Sequence, residues 1–187
     1  MVVKSIAGVA LIALLAVSCA EPGPARITQW TPDGANKPRG AALLRRAMID
    51  GHDAARAEVG LAPLAWDDRL AADALAYAQT LARTRTFRHA EQAAGPTRQG
   101  ENLFTGTRGA YDYREMVDLW VDEKRDFVNR PLPDISRTGR WSDVGHYSQI
   151  VWRTTQRFGC ALASNDTDDY LVCRYSPAGN VWGQAAY

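Results

Sequence analysis

Gly145-His146-Tyr147-Ser148-Gln149-Ile150-Val151-Trp152, followed by Cys173-Arg174-Tyr175-Ser176-Pro177-Ala178-Gly179-Asn180, decides how the rest of the chain is read. Alternation in the first segment predicts a strand, with His146, Ser148, Ile150 and Trp152 on one face and Tyr147, Gln149 and Val151 on the other. Between the two segments, Phe158 to Ala163 and Tyr170 to Tyr175 flank the polar run Ser164-Asn165-Asp166-Thr167-Asp168-Asp169. That pattern predicts a hairpin. Cys160 and Cys173 are placed to bridge it or its neighbour.

Upstream the periodicity changes from strand to helix. Leu44, Met48, His52, Ala55 and Val59 form one stripe of an amphipathic helix that Gly60 ends. Asp67 can cap a second helix with the stripe Leu70, Ala74, Tyr77 and Leu81, and its alanine-rich filling favours helix. A third begins near Asp112 and carries Tyr113, Met116, Val117, Trp120, Lys124 and Phe127 near one face until Pro131 and Pro133 stop it. Helices followed by antiparallel strands make an α+β domain.

A chain of 187 residues with 46% hydrophobic content suits one buried core. Met1 to Val17 holds one basic residue, Lys4, before an apolar run from Ile6 that is too short to span a membrane and suits a secretory signal. Residues 1–19 are therefore read as a signal sequence, 20–39 as a flexible linker rich in Pro and Gly, and 40–187 as the domain. Two processing readings stand. Ser18-Cys19-Ala20 can be cleaved before Glu21, freeing a soluble protein, or Leu15-Ala16-Val17-Ser18-Cys19 serves as a lipobox and Cys19 becomes a lipidated membrane anchor. Either way the protein is extracytoplasmic, secreted or held in the envelope. Cys160 and Cys173 then remain as a pair in an oxidising compartment, where a disulfide closing so short a loop contributes roughly 3 kcal/mol. Without Lys4 the charges stand at 21 against 21, and no basic run or aromatic-basic interleaving suggests a nucleic-acid partner.

The two opening segments, together with Leu64-Ala65-Trp66-Asp67, Phe87-Arg88-His89-Ala90, Gly100-Glu101-Asn102-Leu103 and Trp120-Val121-Asp122-Glu123, resemble the CAP superfamily: cysteine-rich secretory proteins, antigen 5 and plant pathogenesis-related class 1 proteins. The likeness runs in order from about Leu43 to Tyr187, and the N-terminus marks a bacterial lipoprotein member. It implies an α-β-α sandwich, with an antiparallel sheet between helical layers. It also implies a cleft where His89, Glu101, Glu123 and His146 converge and where a divalent metal such as zinc is held by His89 and His146 with Glu101 and Glu123. Helical spacing from Trp120 and Met116 independently points Glu123 along an apolar face, where a carboxylate needs a partner.

Two further properties of such proteins bear on function. Several bind sterols or fatty acids, which makes Phe104, Tyr111, Tyr113 and Trp141 candidates for a small hydrophobic ligand and the loop from Asn129 to Trp141 a candidate lid. A noncatalytic binding domain is the leading reading. Its alternatives are a metal-dependent envelope peptidase or esterase, with Ser148 near His146, and a host-interaction or structural module. Against catalysis stands the lack of a Gly-x-Ser-x-Gly elbow or a His-Glu-x-x-His helix. His52, next to Asp53 and on the stripe of the first helix, is read as a packing and hydrogen-bonding residue. Val144 stands where many relatives carry a cysteine, so one disulfide is expected. Asn165-Asp166-Thr167 is a glycosylation sequon. The tail from Pro177 to Tyr187 resembles a peptide that plant members release, and is read as packed through Trp182.

Overall fold

The computed structural model describes residues 26–28 and 37–187, so the signal sequence and Cys19 lie outside the described residues. In chain order the elements are α1 (Ala41–Glu58), β1 (Ala65–Trp66), α2 (Asp68–Thr84), β2 (Gly100–Thr107), α3 (Tyr113–Val121), α4 (Gly145–Ile150), β3 (Arg157–Ser164) and β4 (Asp168–Ser176). The strands form one sheet in the order β1-β3-β4-β2. Both long pairings are antiparallel, whereas the two-residue β1 joins β3 in parallel. This is the expected α+β sandwich with one short parallel addition.

Apolar spacing explains the layers. On one face Ala74, Ala78, Leu81 and Ala82 of α2 pack against Leu103, Tyr170 and Val172. Gly159 makes that approach close, because a Cβ there would stand 2.3 Å from the backbone nitrogen of Ala71. On the other face Leu44, Met48 and Ala55 of α1 join Met116, Val117 and Trp120 of α3, Tyr147 and Ile150 of α4, and Phe104, Phe158 and Leu171 of the sheet. Strand alternation thus sends Leu103 and Phe104, neighbours on β2, into different layers.

Local chemistry sets the helix starts. The Asp67 side chain accepts the N–H groups of Arg69 and Leu70, and Asp112 forms a capping box with Glu115. The hairpin is β3-β4, with Cys160 opposite Cys173 and the two disulfide-bonded across the strands. The Asn165 side chain is committed inside this turn, donating to the Ala82 carbonyl and the Tyr170 hydroxyl.

Two expectations need correction. The segment from His146 to Trp152 is not a strand: Trp141–Val144 forms a 3-10 turn that runs into α4. Nearly every residue there is buried, so alternation carries no information, while Val144, Tyr147 and Val151 repeat at helical spacing. Secondly, α3 ends at Val121 and continues as a 3-10 turn over Asp122–Arg125 instead of reaching Phe127 as regular helix. The tighter turn advances side chains by about 120° per residue. That rotation brings Glu123 to the start of α4, where it bonds.

Within 20–39, Arg26–Thr28 and Lys37–Arg39 are described. Ile27 bridges to Gly106 on the outer edge of β2, and Arg26 forms an ion pair with Asp168. Arg39 pairs with the buried Asp169 carboxylate at 2.7 Å.

Candidate functional site

His89 sits in the loop after α2, Glu101 on β2, Glu123 on the 3-10 turn after α3 and His146 in the first turn of α4. They join as two pairs. His89 Nδ1–H donates to Glu101 Oε1 at 2.7 Å, and the Ala90 amide donates to the same oxygen at 3.0 Å. His146 Nδ1–H donates to Glu123 Oε1 at 2.6 Å, while the His146 and Tyr147 amides both donate to Glu123 Oε2 at 3.0 Å. Those two amides belong to the first turn of α4, where no backbone acceptor exists, so a carboxylate more than twenty residues away caps the helix.

The supports differ. Glu101 is 5% exposed and lies 2.8 Å from Arg174 Nη2 through its second oxygen, an ion pair by distance without hydrogen-bond alignment. Its histidine is 56% exposed. Glu123 and His146 are 17% and 20% exposed, and the His146 ring stacks on Trp120 with centroids 5.7 Å apart. Alternation on β2 puts Glu101 on the α2 side and Asn102 on the other, where the Asn102 side-chain amide donates to the His146 carbonyl. The pairs therefore lie on opposite sides of the edge strand, linked through the consecutive residues Glu101 and Asn102.

Along that edge runs a cleft of about 160 Å³, walled by Ile27, Phe87, Leu103, Phe104, Leu119 and Trp120 and closed at its polar end by Glu123 and His146. Of the expected ligand-binding aromatics, Phe104 lines it. Tyr111 and Tyr113 are core residues, and Trp141 packs edge-to-face with Trp182. Trp182 itself is exposed rather than packed on the sheet, and the tail is instead held by Asn129, which bonds Ala186 and Tyr187.

The donor set suits a divalent metal in one specific way. In both pairs the carboxylate accepts the Nδ1–H hydrogen bond, which leaves Nε2 with its lone pair as the atom that can ligate, the arrangement in which a carboxylate orients a metal-binding imidazole. Glu101 and Glu123 are then positioning residues. Among the described residues no three His, Cys, Asp or Glu side chains stand together as a metal-holding group.

Ser148 is no neighbour of the cleft. Two helical steps turn it roughly 200° from His146, and it is fully buried with its hydroxyl unpartnered. His52 fulfils its reading: Nδ1–H donates to the Met48 carbonyl, Nε2 accepts from the Tyr175 hydroxyl, and the ring stacks on Phe158. Burial lowers its pKa to about 4. Arg56, one turn on, donates to the carbonyls of Ala62, Ile150 and Trp152 and so ties α1 to the end of α4.

Arg174 and Asn102 were not singled out by sequence reasoning. The signal that could have found Arg174 is a lone cation alternating with Cys173 and Tyr175 in an apolar strand, which demands a buried counter-charge. No helix among the described residues is long and apolar enough to cross a membrane.

Comparison with known proteins agrees with this architecture. A pathogenesis-related protein of the PR-1 type from Sambucus nigra is 38% identical over 140 residues, covering 74% of this chain and 79% of its own length. Pathogenesis-related protein 1C of Nicotiana tabacum is 37% identical over 140 residues, covering 74% and 78%. The solved structure of NaASP2 with Zn2+ superposes with a TM-score of 0.63 at 24% identity, over 83% of this chain and 88% of that one. The family described as CAP, the cysteine-rich secretory protein family, matches residues 49–175, and with the sandwich and the two His–Glu pairs in place this chain belongs to it.

Proposed function

We propose that this CAP domain works outside the cytoplasm as a binding module, taking the apolar end of a small amphiphile of fatty-acid or sterol type in the cleft beside β2 and a divalent metal such as zinc through the Nε2 atoms of His89 and His146. The observation that carries the proposal is the cleft itself, lined by six apolar residues with Thr105, Glu123 and His146 as its polar members. Its volume of about 160 Å³ falls below the ~300–1,000 Å³ of pockets that enclose a whole drug-sized ligand. The cleft therefore receives one end of an acyl chain or ring system and leaves the remainder outside. Burial of each methylene contributes about 0.8 kcal/mol, and a carboxyl or hydroxyl head group meets the imidazole end. NaASP2, which shares the fold, was solved with Zn2+. When bound, the metal supplies a positive charge for an anionic head group; His89 and His146 hold it, and Glu101 and Glu123 fix their rings. The disulfide fits the oxidising compartment that the signal sequence predicts.

Native mass spectrometry of the protein incubated with palmitate and zinc tests both parts. One palmitate adduct, abolished by Leu119→Trp, and one zinc, abolished by His89→Ala with His146→Ala, are the expected results. Unchanged palmitate binding in Leu119→Trp would remove the cleft from the account.

A further inference from the structure

The opposite face of the sheet carries a second concavity, larger than the cleft and unlike it in chemistry. It holds about 370 Å³ between α2 and the loop that follows it, lined by Asp73, Tyr77, Thr80, Gln92, Gln99 and Arg174 among others. None of the aliphatic or aromatic cleft residues reaches it. Its floor is the guanidinium of Arg174, whose side chain is 7% exposed, lies over the Tyr77 ring at 5.2 Å and keeps a buried Nε–H with no hydrogen-bond partner. With its Nε–H buried and its charge paired with Glu101, the guanidinium is a fixed floor to the groove.

The walls are already organised around this floor. Gln92 clasps Gln99 through two bonds of 3.0 Å, donating to its carbonyl and accepting its amide, and the Gln99 side-chain amide donates to Asp73 Oδ2 at 2.6 Å. Three side chains are thereby fixed before any ligand arrives. Their unspent capacity among the described residues lies in the acceptors Asp73 Oδ1 and Gln99 Oε1 and in the second side-chain N–H of Gln92 and of Gln99. Charge then selects the ligand class. Glu101 stands 2.8 Å from Arg174 and already balances it, and Asp73 adds a further negative charge at the rim, so an anion is repelled. What fits is a neutral molecule whose groups both donate and accept, supplying hydroxyl protons to Asp73 and Gln99 and oxygens to the second side-chain N–H groups of Gln92 and Gln99.

From this complementarity we infer that the groove floored by Arg174 binds a neutral saccharide. The site is separate from the apolar cleft and stands or falls independently of the ligand proposed there.

The test is an amide chemical-shift titration of the full protein with chitotriose, with maltotriose, and with sodium acetate as the anion control. Either trisaccharide is expected to shift Asp73, Tyr77, Thr80, Gln99 and Arg174 saturably, with weak affinity of about 1 mM, while His146 and Glu123 stay in place. Thr80→Trp fills the groove from a half-exposed position of α2, and Arg174→Lys keeps a cation for Glu101 while removing the planar guanidinium floor that lies over Tyr77. Each variant should retain the wild-type melting profile within a few degrees and weaken binding at least about tenfold. Should Arg174→Lys fail to fold, Thr80→Trp decides the matter alone. Absence of shifts with both trisaccharides, shifts of the same residues by acetate, or undiminished binding in Thr80→Trp would each overturn the inference.

Discussion

The two His–Glu pairs contain the same atoms in the same contact, yet they stand in different surroundings. In the His89–Glu101 pair the carboxylate is the buried, framed partner and the imidazole is open to water. In the Glu123–His146 pair both partners are mostly enclosed, the ring is stacked on Trp120, and the carboxylate also holds the first turn of α4. The difference teaches that one pair can be altered at its histidine with little structural consequence, whereas the other joins the site to the fold. His146, which lines the cleft, stands on a rigid support, whereas His89 stands on a loop.

Substitutions that separate these roles differ in size. Arg174→Met should be the most damaging, because it leaves Glu101 buried without its counter-charge; a loss of about 3–5 kcal/mol is expected, read as a lower denaturant midpoint with an unchanged slope. A loss no larger than that of an exposed substitution would show that Glu101 is held by the Ala90 amide and His89 alone.

His52 sharpens the comparison as a histidine with both nitrogens committed. The unfolded chain takes up a proton near the ordinary 6.5, which the folded His52 refuses until about 4, so the unfolded state binds more protons between those values. Its contribution is complete above about pH 6.5 and is lost as the pH falls towards 4, amounting to about 3 kcal/mol across the window. Unfolding free energies measured from pH 7 to pH 4 should therefore fall more steeply in the wild type than in His52→Gln. Parallel slopes would mean that folding leaves the proton affinity of His52 unchanged.

Glu123→Gln should cost less stability, about 1–2 kcal/mol, because its carbonyl can still accept the α4 amides. Its amide would face His146 Nδ1 as a donor and shift the ring proton to Nε2. Zinc affinity measured by titration calorimetry should drop about 10–100-fold. Unchanged affinity would place the ligating atom elsewhere.

The smallest effect is expected for His89→Ala, within about 0.5 kcal/mol, since the ring is largely exposed and Glu101 keeps its other contacts. A thermal shift larger than that of Glu123→Gln would invert the comparison.

How much was legible in the sequence follows from the range over which each feature is decided. The first three helices were readable because their stripes and their caps at Asp67 and Asp112 lie within a few residues of one another. The β3-β4 hairpin was readable because its turn is local, and its two cysteines lie at opposed positions once it forms. β2 escaped notice: Gly100–Thr107 contains two glycines and few branched residues, and its strand character comes from pairing along the whole of β4. Of the candidate site, all four residues were identified from motifs. Of the cleft's walls Phe104 was named in advance, and Ile27, Phe87 and Leu119 were not, since they come from three separate segments.

The sequence by itself determined the α+β class, the helical stripes, the hairpin with its disulfide, and the identity of the two histidines and two glutamates. The class, the stripes and the hairpin rest on spacing and residue chemistry within short windows, and the four site residues rest on the motifs that resemble the family. Only the tertiary structure decided that Gly145–Ile150 is a helix, that the four polar residues divide into two pairs, and that Arg174 balances Glu101 from a neighbouring strand. The physical reason is the same in each case. A short buried segment has no readable alternation, and the groups that cap α4 or compensate a buried charge lie dozens of residues away, brought there by the 3-10 turn after α3 and by the β2-β4 register.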